Sequence, residues 1–190
     1  MRFPTETEDE PMTIDPVNAP DAYRQSLLSA LDGRDPATVL GGGPAVAAAL
    51  VDAAGTFLGT RPEPGEWSVL ELVAHLADSE LVTAARLRWI AAEDEPDIVG
   101  YDQDLWVSGL RQVDEDPATL LGAFAALRHW NLDLWARLPV ADRERVGIHR
   151  ERGRESIDLI VRLAAGHDLV HLDQARRTLE AVRRQLTAQA

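Results

Sequence analysis

Cysteine is absent from the 190 residues, which excludes disulfides, thiolate nucleophiles and Cys-ligated zinc or iron–sulfur centres. Lysine is absent as well: all 19 basic residues are Arg, set against 32 Asp and Glu, for a net charge of −13. A nucleic-acid or anionic-membrane binder gathers a basic stripe and neutralises phosphates with it, so this balance argues against both as partners. No run reaches the ~18 uncharged apolar residues of a membrane span. Met1-Arg2-Phe3-Pro4, followed by Glu6, Glu8, Asp9 and Glu10, lacks the apolar stretch of a secretory signal. The expectation is a cytoplasmic protein whose metal, if it holds one, uses His, Asp or Glu.

Apolar/polar alternation is also scarce. From Asp21 onward the hydrophobic period is helical, and 45% hydrophobic content is enough for one core. Residues 1–19, with Pro4, Pro11, Pro16 and five acidic side chains, read as a tail unable to bury a core of its own. Residues 20–188 read as a single all-α domain. A short first helix runs from an Asp21 cap to about Leu31 and stops at Gly33. After Asp35-Pro36, the run Gly41-Gly42-Gly43-Pro44 predicts a break, with a small-residue helix from Ala45 to about Phe57. Ser68-x-x-Glu71 is a capping box between the staple residues Trp67 and Leu72, opening a helix to about Glu93. A short helix follows near residues 102–110. Asp116-Pro117 opens another long helix to about Leu138, with Leu120, Phe124, Leu127, Asn131 and Leu134 on its inner stripe. The last runs from about Ser156 to Leu186. Four substantial helices and a shorter N-terminal one predict a four-helix bundle, the architecture that builds metal or cofactor sites between facing helices.

The histidines carry the chemistry. His167 and His171 are four residues apart, which sets both imidazoles on one helix face with Cβ atoms about 6 Å apart, suited either to two ligands of one divalent ion or to two singly bonded side chains. His75, among Leu72, Val73 and Leu76, faces a neighbouring helix and offers a third ligand. Three imidazoles leave coordination positions open, as catalytic sites require. Unpartnered burial would cost roughly 1–3 kcal/mol for each, whereas metal binding is worth on the order of 10 kcal/mol. The His-Asp-Leu-Val-His run also looks like the His-Glu-x-x-His of zinc proteases. Asp168 is one methylene shorter than the Glu base and turned 100° from His167, and reads better as a solvated or supporting residue. His129 is assigned to the surface. His149 lies in a loop that nothing local orients. Arg86, eleven residues and roughly 16 Å of helix beyond His75, returns to the same face, where it suits either a substrate carboxylate or an interhelical ion pair. Asp78 and Ser79, one turn from His75, could hold its second ring nitrogen or bond between helices.

In order and spacing, Pro64-Gly65-x-Trp67-Ser68, His75-Leu76-Ala77-Asp78-Ser79-Glu80, Arg86, Glu93 to Pro96, Gly100-Tyr101-Asp102, Trp106, His149 to Gly153 and Gly166-His167-x-x-x-His171 resemble the DinB/YfiT-like superfamily, over roughly residues 20–180. That superfamily includes bacillithiol transferases and is related to mycothiol-dependent enzymes. The resemblance implies a DinB-like four-helix bundle in which His75, His167 and His171 bind zinc or nickel. It implies a metal-dependent enzyme that transfers a low-molecular-weight thiol cosubstrate to a small electrophilic substrate, or hydrolyses that substrate with water, and a homodimer. Tyr101 would be a substrate contact. The loop motif usually reads His-Pro-Glu, and here it is His149-Arg150-Glu151. The competing expectation is a non-catalytic, stress-associated bundle that binds a metal or small ligand.

Overall fold

The computed structural model describes residues 18–189. In chain order its helices are α1 (Pro20–Leu31), α2 (Pro36–Ala54), α3 (Val69–Ala92), α4 (Gln103–Gly109), α5 (Pro117–Arg137), α6 (Val140–Arg143) and α7 (Ile157–Gln189). The short strands are β1 (Asp97–Ile98), β2 (Val146–His149) and β3 (Gly153–Ser156). The four long helices α2, α3, α5 and α7 form the bundle, and α1 lies along α7. The fold is all-α, as the helical period implies. The segment read as an acidic tail, 1–19, lies outside the described residues except for Asn18 and Ala19.

The start signals act as written. Ser68 accepts from the Glu71 backbone N–H while the Glu71 carboxylate accepts from the Ser68 N–H, a complete capping box. Asp102 and Asp116 cap α4 and α5 through their side chains. At α1 the cap is Ala19 with Pro20 in the first turn, so Asp21 sits one step inside, where its charge favours the helix N-terminus. Gly166 explains how α1 and α7 approach so closely: a Cβ there would fall 2.1 Å from the Leu27 carbonyl oxygen.

The expected break at Gly41–Pro44 does not occur; α2 continues through all four residues. Pro44 lacks the N–H that would bond the Leu40 carbonyl, and Arg128 Nη1 donates to that oxygen instead, at 2.7 Å. The tertiary partner replaces the missing bond, and a helix that looks broken locally is completed by α5. With its neighbours, α2 is long and apolar enough to cross a membrane by length and composition alone when one charge is allowed, although Asp52 keeps its uncharged run short of ~18 residues. Here it packs against α5 and α7.

A second departure is the three-stranded sheet, β1 parallel to β2 and β2 antiparallel to β3. Strands of two to four residues are too short to display a period of two. Glu155 on β3 is fully buried, held by Arg152 at 2.6 and 3.1 Å, so charge and burial do not separate in the way pattern reading needs.

The core divides into two apolar clusters. One gathers Leu72, Leu76, Phe124 and Leu172, and the other Leu87, Ile90, Leu134 and Ile160. Between them lies a polar layer in which Arg128 pairs with Glu80 at 2.8 Å and with Asp168 at 2.7 Å, all three nearly inaccessible. Gly43 gives this layer its room, because a Cβ there would meet Asp168 Oδ2 at 2.6 Å and Arg128 Nη1 at 3.1 Å. Gly42, one residue away, has nothing within 4 Å of the same position. Gly43→Ala is therefore expected to destabilise the protein by about 1–3 kcal/mol through overpacking, while Gly42→Ala stabilises it by about 0.5–1 kcal/mol through helix propensity. Urea midpoints of the two variants check both signs.

Candidate metal centre

His75 reaches the bundle interior from the second turn of the capped helix α3, and His167 and His171 meet it from successive turns of α7. One donor atom from each of the three lies within 4.8 Å of the others. His75 Nε2 and His167 Nε2 are 3.0 Å apart, and ring centroids are separated by 4.3 to 4.9 Å. Two nitrogens on one ion at about 2.0–2.1 Å stand roughly 2.9–3.4 Å apart for angles from square to tetrahedral. The spacing and the all-imidazole donor set fit a divalent ion, and these three residues could hold one.

Electrostatics favour the neutral, ligating form. Burial pushes the pKa of His75 and His167 well below the ordinary value, and the neighbouring His171 adds to the effect. His171 is lowered to about 4, again chiefly by burial. The Gln174 amide oxygen accepts from His171 Nδ1 at 2.9 Å, so that nitrogen carries the proton and Nε2 keeps its lone pair. Trp67, the staple residue, packs its ring 5.1 Å from His75 and 6.4 Å from His171, shielding that side of the cluster.

A cavity of about 700 Å³ opens beside His167, with Ser79, Thr83, Arg86, Tyr101 and His149 on its walls. Ser79, Arg86, Tyr101 and His149 thus stand together. Asp78 does not join them. It accepts from Gln112 and its pKa is raised to about 6 by burial and the nearby Glu115, so it ties α3 to the segment after α4 instead of orienting His75. Tyr101 hydrogen-bonds Ser79 and is pushed up to about 12 by burial, which keeps its hydroxyl protonated. His149 is on β2, not in a loop, and buried. Its Nδ1 faces Glu151 Oε2 at 3.0 Å and its Nε2 stands 3.4 Å from Arg86 Nη2. His129 is exposed, as expected. Asp168 is neither solvated nor turned to the histidines. Both its oxygens are held by Arg128, at 2.7 and 3.1 Å, which removes it as a zinc-protease-type base.

Sequence reading missed Arg128 and Gln174. Arg128 falls between Phe124 and Asn131 on the stripe read as apolar, and Gln174 is one turn beyond His171, a position a search for ligand-orienting residues would reach.

The chain matches the sequence profile of the DinB superfamily over residues 44–175. It belongs to that superfamily. A relative from Oceanobacillus iheyensis, named "Putative metal-dependent hydrolase", is 30% identical over 123 residues, covering 65% of this chain and 71% of its own. YfiT from Bacillus subtilis, described as "a probable metal-dependent hydrolase with an unusual four-helix bundle topology", superposes with a TM-score of 0.69 at 22% identity, over 97% of this chain and 93% of that one. The DinB fold is thereby shown for this chain.

One pH effect follows from His149. Burial, with the adjacent Arg152 charge, lowers its pKa to about 4, against about 6.5 when unfolded. Between those values the unfolded chain binds the extra proton, so its contribution to stability falls as pH drops from about 6.5 toward 4. In metal-free protein, His149→Asn should lose less stability between pH 7 and 5 than the wild type, by up to about 2 kcal/mol, as read from urea midpoints at both pH values.

Proposed function

We propose that this DinB-superfamily chain is a metal-dependent enzyme acting on a small molecule, with His75, His167 and His171 holding one divalent ion, zinc or nickel, at the base of the cavity. The observation that carries the reading is the convergence of three neutral imidazoles, His75 and His167 buried and His171 half-buried, with His167 bordering a cavity large enough for a substrate. The names of the relatives from Oceanobacillus and Bacillus support hydrolysis as the reaction class.

When bound, such an ion supplies Lewis acidity, lowering the pKa of a water or thiol and polarising the substrate. The chain does the rest. The three histidines present lone pairs, since burial keeps their protons off. Gln174 fixes the His171 tautomer, and Trp67 excludes water from one side. The Tyr101 hydroxyl, protonated at neutral pH, is placed to donate to a substrate oxygen. Because the chain has no Cys, an attacking thiol would come from outside it as a low-molecular-weight cosubstrate, with water as the alternative nucleophile. A net charge of −13 suits a small substrate better than a polyanion.

Elemental analysis of the purified protein is expected to find about one equivalent of divalent metal, lost in His171→Ala. Gln174→Leu, which removes the tautomer lock, should bind metal about 10–100-fold more weakly. Metal-loaded protein should accelerate hydrolysis of simple esters or amides, or consumption of cysteine, glutathione, bacillithiol or mycothiol with an electrophile, and His171→Ala should abolish this with helix content intact. Full metal occupancy with every reaction at its uncatalysed rate would replace the enzyme by a binding protein.

A further inference from the structure

The cavity contains positive charge that the proposed metal does not explain. Three arginines line it. Arg152 is committed to Glu155, at 2.6 and 3.1 Å. Arg86 gives Nη2 to the Val99 carbonyl at 2.9 Å and approaches His149 at 3.4 Å, yet its Nε is buried with no hydrogen-bond partner. Arg24, from α1, gives Nη2 to the Arg152 carbonyl at 2.6 Å, and its Nε is likewise buried without a partner. The acid nearest Arg24 is Asp21, 3.8 Å away and almost fully exposed; among the described residues Arg86 forms no ion pair. Buried N–H donors on cations are costly to leave unmatched, and both of these arginines line one cavity.

We propose that this cavity binds a monoanionic carboxylate, received by the guanidinium groups of Arg86 and Arg24, so that the substrate of the histidine centre is a small carboxylic acid with an apolar body. The inference rests on the cavity being the substrate site of the proposed enzyme. A guanidinium edge matches a carboxylate in geometry and charge. Burial and the like charge of Arg152 both act against the Arg86 proton, the condition an incoming anion relieves. Asp102, Asp104, Glu151 and Glu155 on the same walls limit how much negative charge can enter, which favours a monoanion over a phosphate dianion. Leu27, Ile160 and Leu163 also line the cavity and accept an apolar body. Arg86 and His75 stand on one face of α3, and His167 borders the same cavity, so a ligand anchored at the arginines extends toward the histidines.

Calorimetry on the full chain, metal-free and metal-loaded, tests this with acetate, butyrate and 4-phenylbutyrate, each beside its primary amide, and with inorganic phosphate. The expected result is 4-phenylbutyrate binding at least tenfold more tightly than its amide, with or without metal. That preference should vanish in Arg86→Gln, fall severalfold in Arg24→Gln and return in part in Arg86→Lys. Equal binding of acid and amide in all three pairs would overturn the proposal, as would a preference that survives both Gln variants or phosphate binding more tightly than every carboxylate. Metal content measured on the same samples separates the two readings: absent metal with an intact carboxylate preference refutes the metal enzyme, and full metal without the preference refutes the anion site. Arg24→Gln stands as the second variant should Arg86→Gln fail to fold.

Discussion

The guanidinium of Arg128 is the joint on which the bundle turns. From α5 it donates to the Leu40 carbonyl on α2, to Glu80 on α3 and to Asp168 on α7, with its face 4.8 Å from the Phe124 ring. Burying a cation is expensive unless its donors are all used and opposite charge lies in contact, and both conditions hold here. Asn131 donates to Glu80 at 2.7 Å and is itself met by Arg88 Nη1 at 2.8 Å, so the second carboxylate is also satisfied. Loss of the guanidinium would strand two acids in the interior, a cost of about 3–5 kcal/mol. The same contacts set the heights of the helices. Asp168 is the neighbour of His167, and Glu80 lies five residues beyond His75, so a network that touches no ligand nitrogen fixes the two faces that meet in the histidine cluster.

What could be read from the chain was what acts locally. The capping box at Ser68 and Glu71, the Asp116-Pro117 start and the one-turn spacing of His167 and His171 each involve residues three or four apart, and each has its geometry fixed by the helix itself. The continuity of α2 could not be read, because its missing hydrogen bond is supplied 88 residues away by Arg128. Gly43 looked like a helix breaker and is instead the gap that admits Asp168. The β2–β3 hairpin was hidden by its brevity and by Glu155, an acid buried because Arg152 meets it. Asp78 sits at the right spacing to support His75, yet helix spacing says nothing of Gln112, which claims it from another segment. Arg24 carried no signal in its own helix. Its significance arises only where α1 crosses the cavity.

Splitting the core into two apolar clusters gives the polar layer its chemical character. Leucine, isoleucine and phenylalanine above and below it exclude water, which raises the cost of every unpaired charge and strengthens every pairing inside. Under that constraint the charged residues resolve themselves into a complete network, while the histidines respond by giving up their protons. Neutral imidazoles with inward lone pairs are the state in which such a site is ready for a cation, so the low pKa values and the donor geometry have one cause.

The absence of lysine also acquires meaning at the buried positions. An ammonium taken out of water gives up its proton more readily than a guanidinium, so a lysine in the surroundings of Arg86, where burial and Arg152 both oppose the charge, would hold its charge less firmly. A guanidinium is far more strongly basic to begin with and stays charged after such a shift. It also has enough donors to hold the Val99 carbonyl with Nη2 while Nε remains without a partner. Arg128 bridges two acids and a carbonyl at once, which three hydrogens on a single nitrogen could not do in that fan. A protein this acidic overall can therefore keep fixed positive charge inside, with Arg24, Arg86 and Arg152 standing beside Asp102, Asp104, Glu151 and Glu155 on the cavity walls, and that charge is sustained by the chemistry of one side chain.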